Sequence, residues 1–181
     1  MLQSRPSACA LGIDSGTHNT GVGIVNNADI VLYSTVLHPP LNSPILDRIF
    51  WLYDAVTLLM RQYTPVVVGI ETYVAPSVKV RAQTAAAVAH HNWIIGSLVL
   101  LNRTNSPAAQ VMLLEAKTWM HQLTGIPSQY SVGGKDIIEK TVYCRTGYAI
   151  ANNTGYHRSD AVGIALVALD NYSANMQREA I

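Results

Sequence analysis

Hydrophobic positions along the chain switch between two periods, and the switches mark out strands and helices. The stretch Ala10-Leu11-Gly12-Ile13-Asp14-Ser15-Gly16-Thr17-His18-Asn19-Thr20-Gly21-Val22-Gly23-Ile24-Val25 sets two apolar runs around a polar, glycine-punctuated bend. That pattern predicts a strand–turn–strand hairpin. Ile30 to Val36, after the turn Asn26-Asn27-Ala28-Asp29, has the β-branched content of a third strand. Ser43 then offers an N-cap with Pro44 at the first helical position. Ile45, Ile49, Leu52, Val56 and Leu59 recur at helical spacing, with Asp47, Arg48, Asp54 and Arg61 off that face. Val66 to Ile70 reads as strand four. A helix from about Ser77 to Leu101 follows, and its middle, Ala85-Ala86-Ala87-Val88-Ala89, is small and apolar all round. A helix without a polar face packs in the core or against a partner subunit. Gln110 to Leu114 predicts strand five, with helices near Ala116–Leu123 and Lys135–Arg145 and a last helix over about His157–Asn171. The order describes an α/β fold, a mixed five-stranded sheet flanked by helices.

Three carboxylates interrupt this pattern. Asp14 sits in the first strand-like run, and burying its charge costs free energy unless a cation or a dense set of hydrogen bonds compensates it. Glu71 ends the run Pro65-Val66-Val67-Val68-Gly69-Ile70 in the same way. In the last helix, His157 and Asp160 are three apart and project from one face, while Ala161, Ile164 and Leu166 bury the segment. Read alone, Asp14 is a turn or cap residue. Read together, Asp14, Glu71 and Asp160 are oxygen ligands suited to Mg²⁺ or Mn²⁺. Two such ions roughly 4 Å apart stabilise the attacking and leaving oxygens of a phosphodiester displacement. His157 is a candidate second-ion ligand or proton shuttle.

Leu11-Gly12-Ile13-Asp14-Ser15-Gly16 with Asn19-Thr20-Gly21, Gly69-Ile70-Glu71, and His157-Arg158-Ser159-Asp160-Ala161 resemble, in order, the motifs of the RuvC Holliday-junction resolvases. The resemblance spans nearly the whole chain. It implies a ribonuclease-H-like fold, a homodimer, and metal-dependent nicking of four-way DNA junctions that leaves 5′-phosphate and 3′-hydroxyl ends. It makes Asp14, Glu71, His157 and Asp160 the metal site, with two Mg²⁺ ions for which Mn²⁺ substitutes. Lys117 and Lys135 match basic residues that approach the scissile backbone. Where the family often carries a base-unstacking aromatic this chain has Val74, and the nearest aromatic is Tyr73. Lys79 and Arg81, after Glu71, are expected to meet backbone phosphates.

Three alternatives stand beside this reading. Asp14-Ser15-Gly16-Thr17 also resembles the Mg²⁺-nucleotide hairpin of actin-like ATPases and sugar kinases, which are duplicated two-domain proteins. A ribonuclease-H-fold nuclease acting on RNA–DNA hybrids is the second. The third is a junction-binding protein that has lost the chemistry.

Composition adds limits. At 181 residues, 49% hydrophobic and 13% charged, the chain suits one folded domain over 1–181. Twelve Lys and Arg against eleven acids leave a net charge of +1, no global nucleic-acid signature. A phosphate-reading face must therefore be assembled in space, and Lys79, Arg81, Lys117, Lys135, Lys140 and Arg158 are its expected members. Two distant cysteines, Cys9 and Cys144, suit a reducing compartment. Met1 to Ala8 lacks a signal-peptide core, and the apolar stretch Trp93 to Leu101 is too short to span a bilayer, so a soluble cytoplasmic protein is expected. The neighbours His90 and His91 point in different directions on a helix and read as surface or interface residues. Glu115 reads as a favourable start to the next helix, and His18 as a candidate phosphate contact.

Overall fold

Alternation along the strands divides the interior into two cores. In the computed structural model, which describes residues 8–16, 18–72, 82–105, 108–127, 134–150 and 156–179, the chain runs β1 (Cys9–Asp14), β2 (Thr20–Asn26), β3 (Val31–Leu37), α1 (Ile45–Tyr63), β4 (Val67–Thr72), α2 (Ala82–Asn105), β5 (Gln110–Glu115), α3 (Ala116–Thr124), α4 (Gly134–Thr146) and α5 (His157–Glu179). The strands form one sheet in the order β3-β2-β1-β4-β5. β1, β2 and β3 pair antiparallel, whereas β4 pairs parallel to both β1 and β5. This is the mixed five-stranded sheet expected from the pattern.

Leu11, Ile13, Val22, Ile24, Val68 and Ile70 point to one face and pack with Ile49, Leu52, Val56 and Met60 of α1 and Ile94, Leu98 and Leu101 of α2. Ala10, Val25 and Val67 point to the other, against Trp119 of α3, Ile138 of α4 and Val162, Ala165 and Leu166 of α5. Asp14 follows the second parity. Its own-face neighbours are Ala10 and Gly12, not Leu11 and Ile13.

On that second face, α5 lies directly on strand backbone. A Cβ added at Gly12 would stand 2.1 Å from the Ala161 carbonyl oxygen, and one at Gly21 2.0 Å from that of His157. Only glycine leaves room for this approach. α5 is buried continuously from Ser159 to Leu169, with the sheet on one side and α3 and α4 on the other.

Three boundaries differ from the sequence reading. Pro44, not Ser43, is the N-cap of α1, and no side chain caps this helix. The Pro44 carbonyl accepts from the Arg48 N–H, while the Ser43 carbonyl is taken by the Arg48 guanidinium. α2 continues past Leu101 to Asn105, and Asn102 is buried with its amide on the Ala109 carbonyl, 2.8 Å away. The expected start of that helix, 77–81, lies outside the described residues. α5 continues past Asn171 to Glu179 through residues that are largely exposed and so carry no apolar period. Among the described residues no helix is long and apolar enough to cross a membrane.

Candidate active site

Parallel register sets the first two acids side by side. Ile13 pairs with Ile70, so Asp14 and Glu71 are the next residues at the carboxyl ends of neighbouring strands. A period of two turns both toward the α5 face. The glycine contact then lowers the N-terminus of α5 onto the same spot. His157 Nδ1 lies 2.6 Å from Asp14 Oδ2. Asp160 follows one turn later, 5% exposed, and its Oδ1 is buried with no hydrogen-bond partner among the described residues. Asp14 is 8% exposed and Glu71 half-buried. The positive end of the α5 dipole favours this concentration of negative charge.

Crowding and burial shift the acids strongly. Glu71 is pushed up to about 8, first by burial and then by its hydrogen bond to Asp14 and by the Asp14 charge, with Asp160 adding a smaller push. Asp160 is pushed up to about 7 by burial and by Asp14, and the charges of Lys135 and His157 offset part of this. His157 is raised, chiefly by its hydrogen bond to Asp14, which favours the protonated ring.

The sequence-predicted residues divide clearly. Asp14, Glu71, His157 and Asp160 converge. Lys135 is exposed at the start of α4 with its Nζ 5.1 Å from the centre of the Tyr156 ring, and its charge reaches His157 and Asp160. Lys117 stands exposed in the first turn of α3, after the strand that pairs with that of Glu71. Tyr73, Lys79 and Arg81 lie outside the described residues. Lys140 is exposed. Arg158 does not join a basic face: its Nη2 donates to the Tyr148 hydroxyl at 2.6 Å and its Nε to Ser34 Oγ, half-buried between α5 and β3. It sits one residue after His157, where the turn of the helix aims it away from the acids. Glu115 is the N-cap of α3, without a side-chain cap bond. His18 is exposed beside Arg48, Nε2 to Nη1 3.3 Å.

Three contributors escaped sequence reasoning. His91 is not a plain surface residue: its Nε2 lies 3.1 Å from Ser15 Oγ, which also donates to the Glu71 backbone carbonyl at 3.2 Å. Burial holds the His91 ring below its usual value. The indole of Trp119, 0% exposed, donates from Nε1 to Glu71 Oε1 at 3.4 Å. The Tyr156 hydroxyl donates to Asp136 Oδ1 at 3.0 Å, joining the starts of α4 and α5. A polar residue directly before His157 was the one available signal, and it pointed at no partner.

The donor set fits a hard divalent cation: carboxylate oxygens with one imidazole. The Asp160 Oδ1 without a partner among the described residues, and two acids pushed up by burial and by the Asp14 charge, are the marks of a place that lacks positive charge. Among the described residues, no three His, Cys, Asp or Glu side chains already form a metal cage. Asp14 and His157 are engaged with each other instead.

No curated protein matches the sequence. The family model described as crossover junction endodeoxyribonuclease RuvC matches residues 10–104, more than half the chain. The fold is similar to that of Thermus thermophilus RuvC in complex with a Holliday junction substrate, with TM-score 0.70 and 19% identity over 93% of this chain and 96% of that one. It is also similar to the yeast mitochondrial Holliday junction resolvase, with TM-score 0.62 and 14% identity over 99% and 87%. The fowlpox virus resolvase, solved with Holliday junction DNA, gives TM-score 0.52 and 13% identity over 92% and 97%. With this ribonuclease-H-like architecture and the matched family model, the chain belongs to the RuvC family of crossover junction endodeoxyribonucleases, which are metal-dependent nucleases.

Proposed function

We propose that this chain, acting as one domain over 1–181, resolves four-way DNA junctions by paired nicks. The observation that carries the reading is the convergence of Asp14, Glu71 and Asp160 from β1, β4 and α5, with an Asp160 oxygen left unpartnered. In this proposal the three acids hold two Mg²⁺ ions, for which Mn²⁺ substitutes, and His157 completes the set. Such ions supply Lewis-acid stabilisation of the attacking and leaving oxygens. Protonated His157 donates from Nδ1 to Asp14 Oδ2 until the site is loaded. Lys135, Lys117, Lys79 and Arg81 neutralise phosphate charge as the strand approaches, and Tyr73 offers a face to an unstacked base. Products carry 5′-phosphate and 3′-hydroxyl ends.

A homodimer fits this substrate, because two-fold symmetry matches the near-symmetry of a four-way junction. What supports it is the face of α2 turned from the core. Trp93 and Leu100, seven residues apart, are 50% and 60% exposed on one helical stripe.

The test is cleavage of a labelled four-way junction, a plain duplex and an RNA–DNA hybrid, each with and without Mg²⁺. Junction-selective, Mg²⁺-dependent nicking is expected. D14N should lower it more than about a hundredfold while junction binding persists. Undiminished cleavage by D14N, or preference for the hybrid, would overturn the reading.

A further inference from the structure

Among the described residues, Glu71 is the one acid of the three whose carboxylate is gripped by a buried donor from outside the cluster. We propose that Trp119 is the positioning residue for Glu71: its indole N–H anchors Oε1, so that the carboxylate keeps one orientation toward Asp14 and Asp160 and ligates through Oε2. The inference rests on the metal-site reading above.

The ring has little freedom. Trp119 is fully buried in the second core, and Gly163 of α5 lies against it. A Cβ at Gly163 would stand 3.1 Å from Trp119 Cζ3 and 2.8 Å from Leu123 Cδ2, so the glycine makes the slot the indole fills. The backbone path is equally short. Leu114 of β5 pairs with Glu71, Glu115 ends the strand, and Trp119 comes one turn into α3. At 3.4 Å the contact is long for a hydrogen bond, yet the indole has no other acceptor among the described residues, and a buried Trp N–H normally finds one. A ligating carboxylate held by an outside donor keeps a fixed orientation, and loss of such partners typically weakens metal binding by about 10–100-fold.

W119F removes the donor and keeps most of the ring. Calorimetric titration of the DNA-free protein with Mn²⁺ should show affinity reduced about tenfold or more. L123A serves as the matched control, since it loosens the same slot without touching Glu71. It should lower the melting temperature while Mn²⁺ affinity stays within about twofold of wild type. A second readout uses 5-fluorotryptophan-labelled protein, with the Trp119 fluorine signal assigned as the one that persists in both W51F and W93F. That signal should move on adding Mg²⁺ to wild type and stay fixed in E71A. Wild-type Mn²⁺ affinity in a folded W119F overturns the proposal, as does equal loss in L123A. Should W119F fail to fold, the fluorine signal decides, and an unmoved resonance overturns it. Wild-type protein that neither binds Mn²⁺ nor cuts junctions would instead refute the metal-site reading itself.

Discussion

His157 Nδ1 and Asp14 Oδ2 lie 2.6 Å apart, closer than neighbouring ligand atoms stand around an octahedral Mg²⁺, which are roughly 3 Å apart at the usual bond length. The contact is a proton-holding hydrogen bond, and in the proposed metal site a bound ion would have to replace the proton. With Glu71 and Asp160 also pushed up to about 8 and about 7, loading of the proposed site should release protons. Calorimetry of Mg²⁺ binding at pH 7 in two buffers of different ionisation enthalpy should give different apparent heats. Equal heats would mean that no proton leaves.

The same shifts set the stability of the metal-free protein. Glu71 and Asp160 bind protons more tightly folded than unfolded, so their contribution is lost as pH rises toward 8. The raised His157 acts in the same direction, its contribution present below about 6.5 and lost as pH rises through its folded value. His91, held low by burial, opposes them only below about 6.5. Between pH 6.5 and 8 the melting temperature in EDTA should therefore fall, and the gain on adding Mg²⁺ should grow. D14N, which removes the charge bearing on both acids, should flatten the EDTA slope. A wild-type melting temperature that climbs over this range would contradict these assignments.

Gly12 and Gly21 should tolerate no side chain. G12A or G21A places a methyl group against α5 backbone oxygens at 2.1 and 2.0 Å, and relief requires moving the helix. A loss of about 3 kcal/mol or more in urea unfolding is expected, with cleavage falling in any fraction that still folds. A variant with unchanged stability would show that α5 does not sit on the strand.

Lys135 is stacked, not tethered. Y156F keeps the ring beneath the ammonium and loses only the bond to Asp136, so junction binding should change by less than about twofold. Y156A loses the ring and should weaken binding about two- to fivefold. K135A should lower the salt dependence of junction binding by about one phosphate contact. An unchanged slope of log affinity against log salt would remove Lys135 from the DNA surface.

Trp93 and Leu100 give the dimer its own check. W93E/L100E should elute as a monomer in light-scattering chromatography, and the unaltered chain is expected to elute as a dimer. Monomeric wild-type protein would leave the exposed stripe to some other partner.

Much of this architecture was legible in the sequence, and the reasons are specific. Apolar runs around Gly16 and a β-branched run at Ile30–Val36 needed no tertiary knowledge to read as strands. Asp14, Glu71 and Asp160 stood out because each breaks an apolar pattern. Trp119 did not, since a tryptophan at helical spacing is ordinary core, and only the register of β4 on β5 brings its N–H to Glu71. His91 was set aside because neighbouring histidines on a helix diverge. They do diverge, but one of the two directions leads to Ser15. Arg158 failed in the opposite sense: a cation near the site in sequence, yet spent on Tyr148 and Ser34.

Because α5 rests on bare backbone at Gly12 and Gly21, neither layer can shift there without the other. His157 and Asp160 thus inherit their position from the strand that carries Asp14 and its neighbour. Glu71 is different, being set by an indole from a separate helix. Adaptation of this nuclease to a different ion or a different backbone geometry has one adjustable wall, and it is the one built by α3.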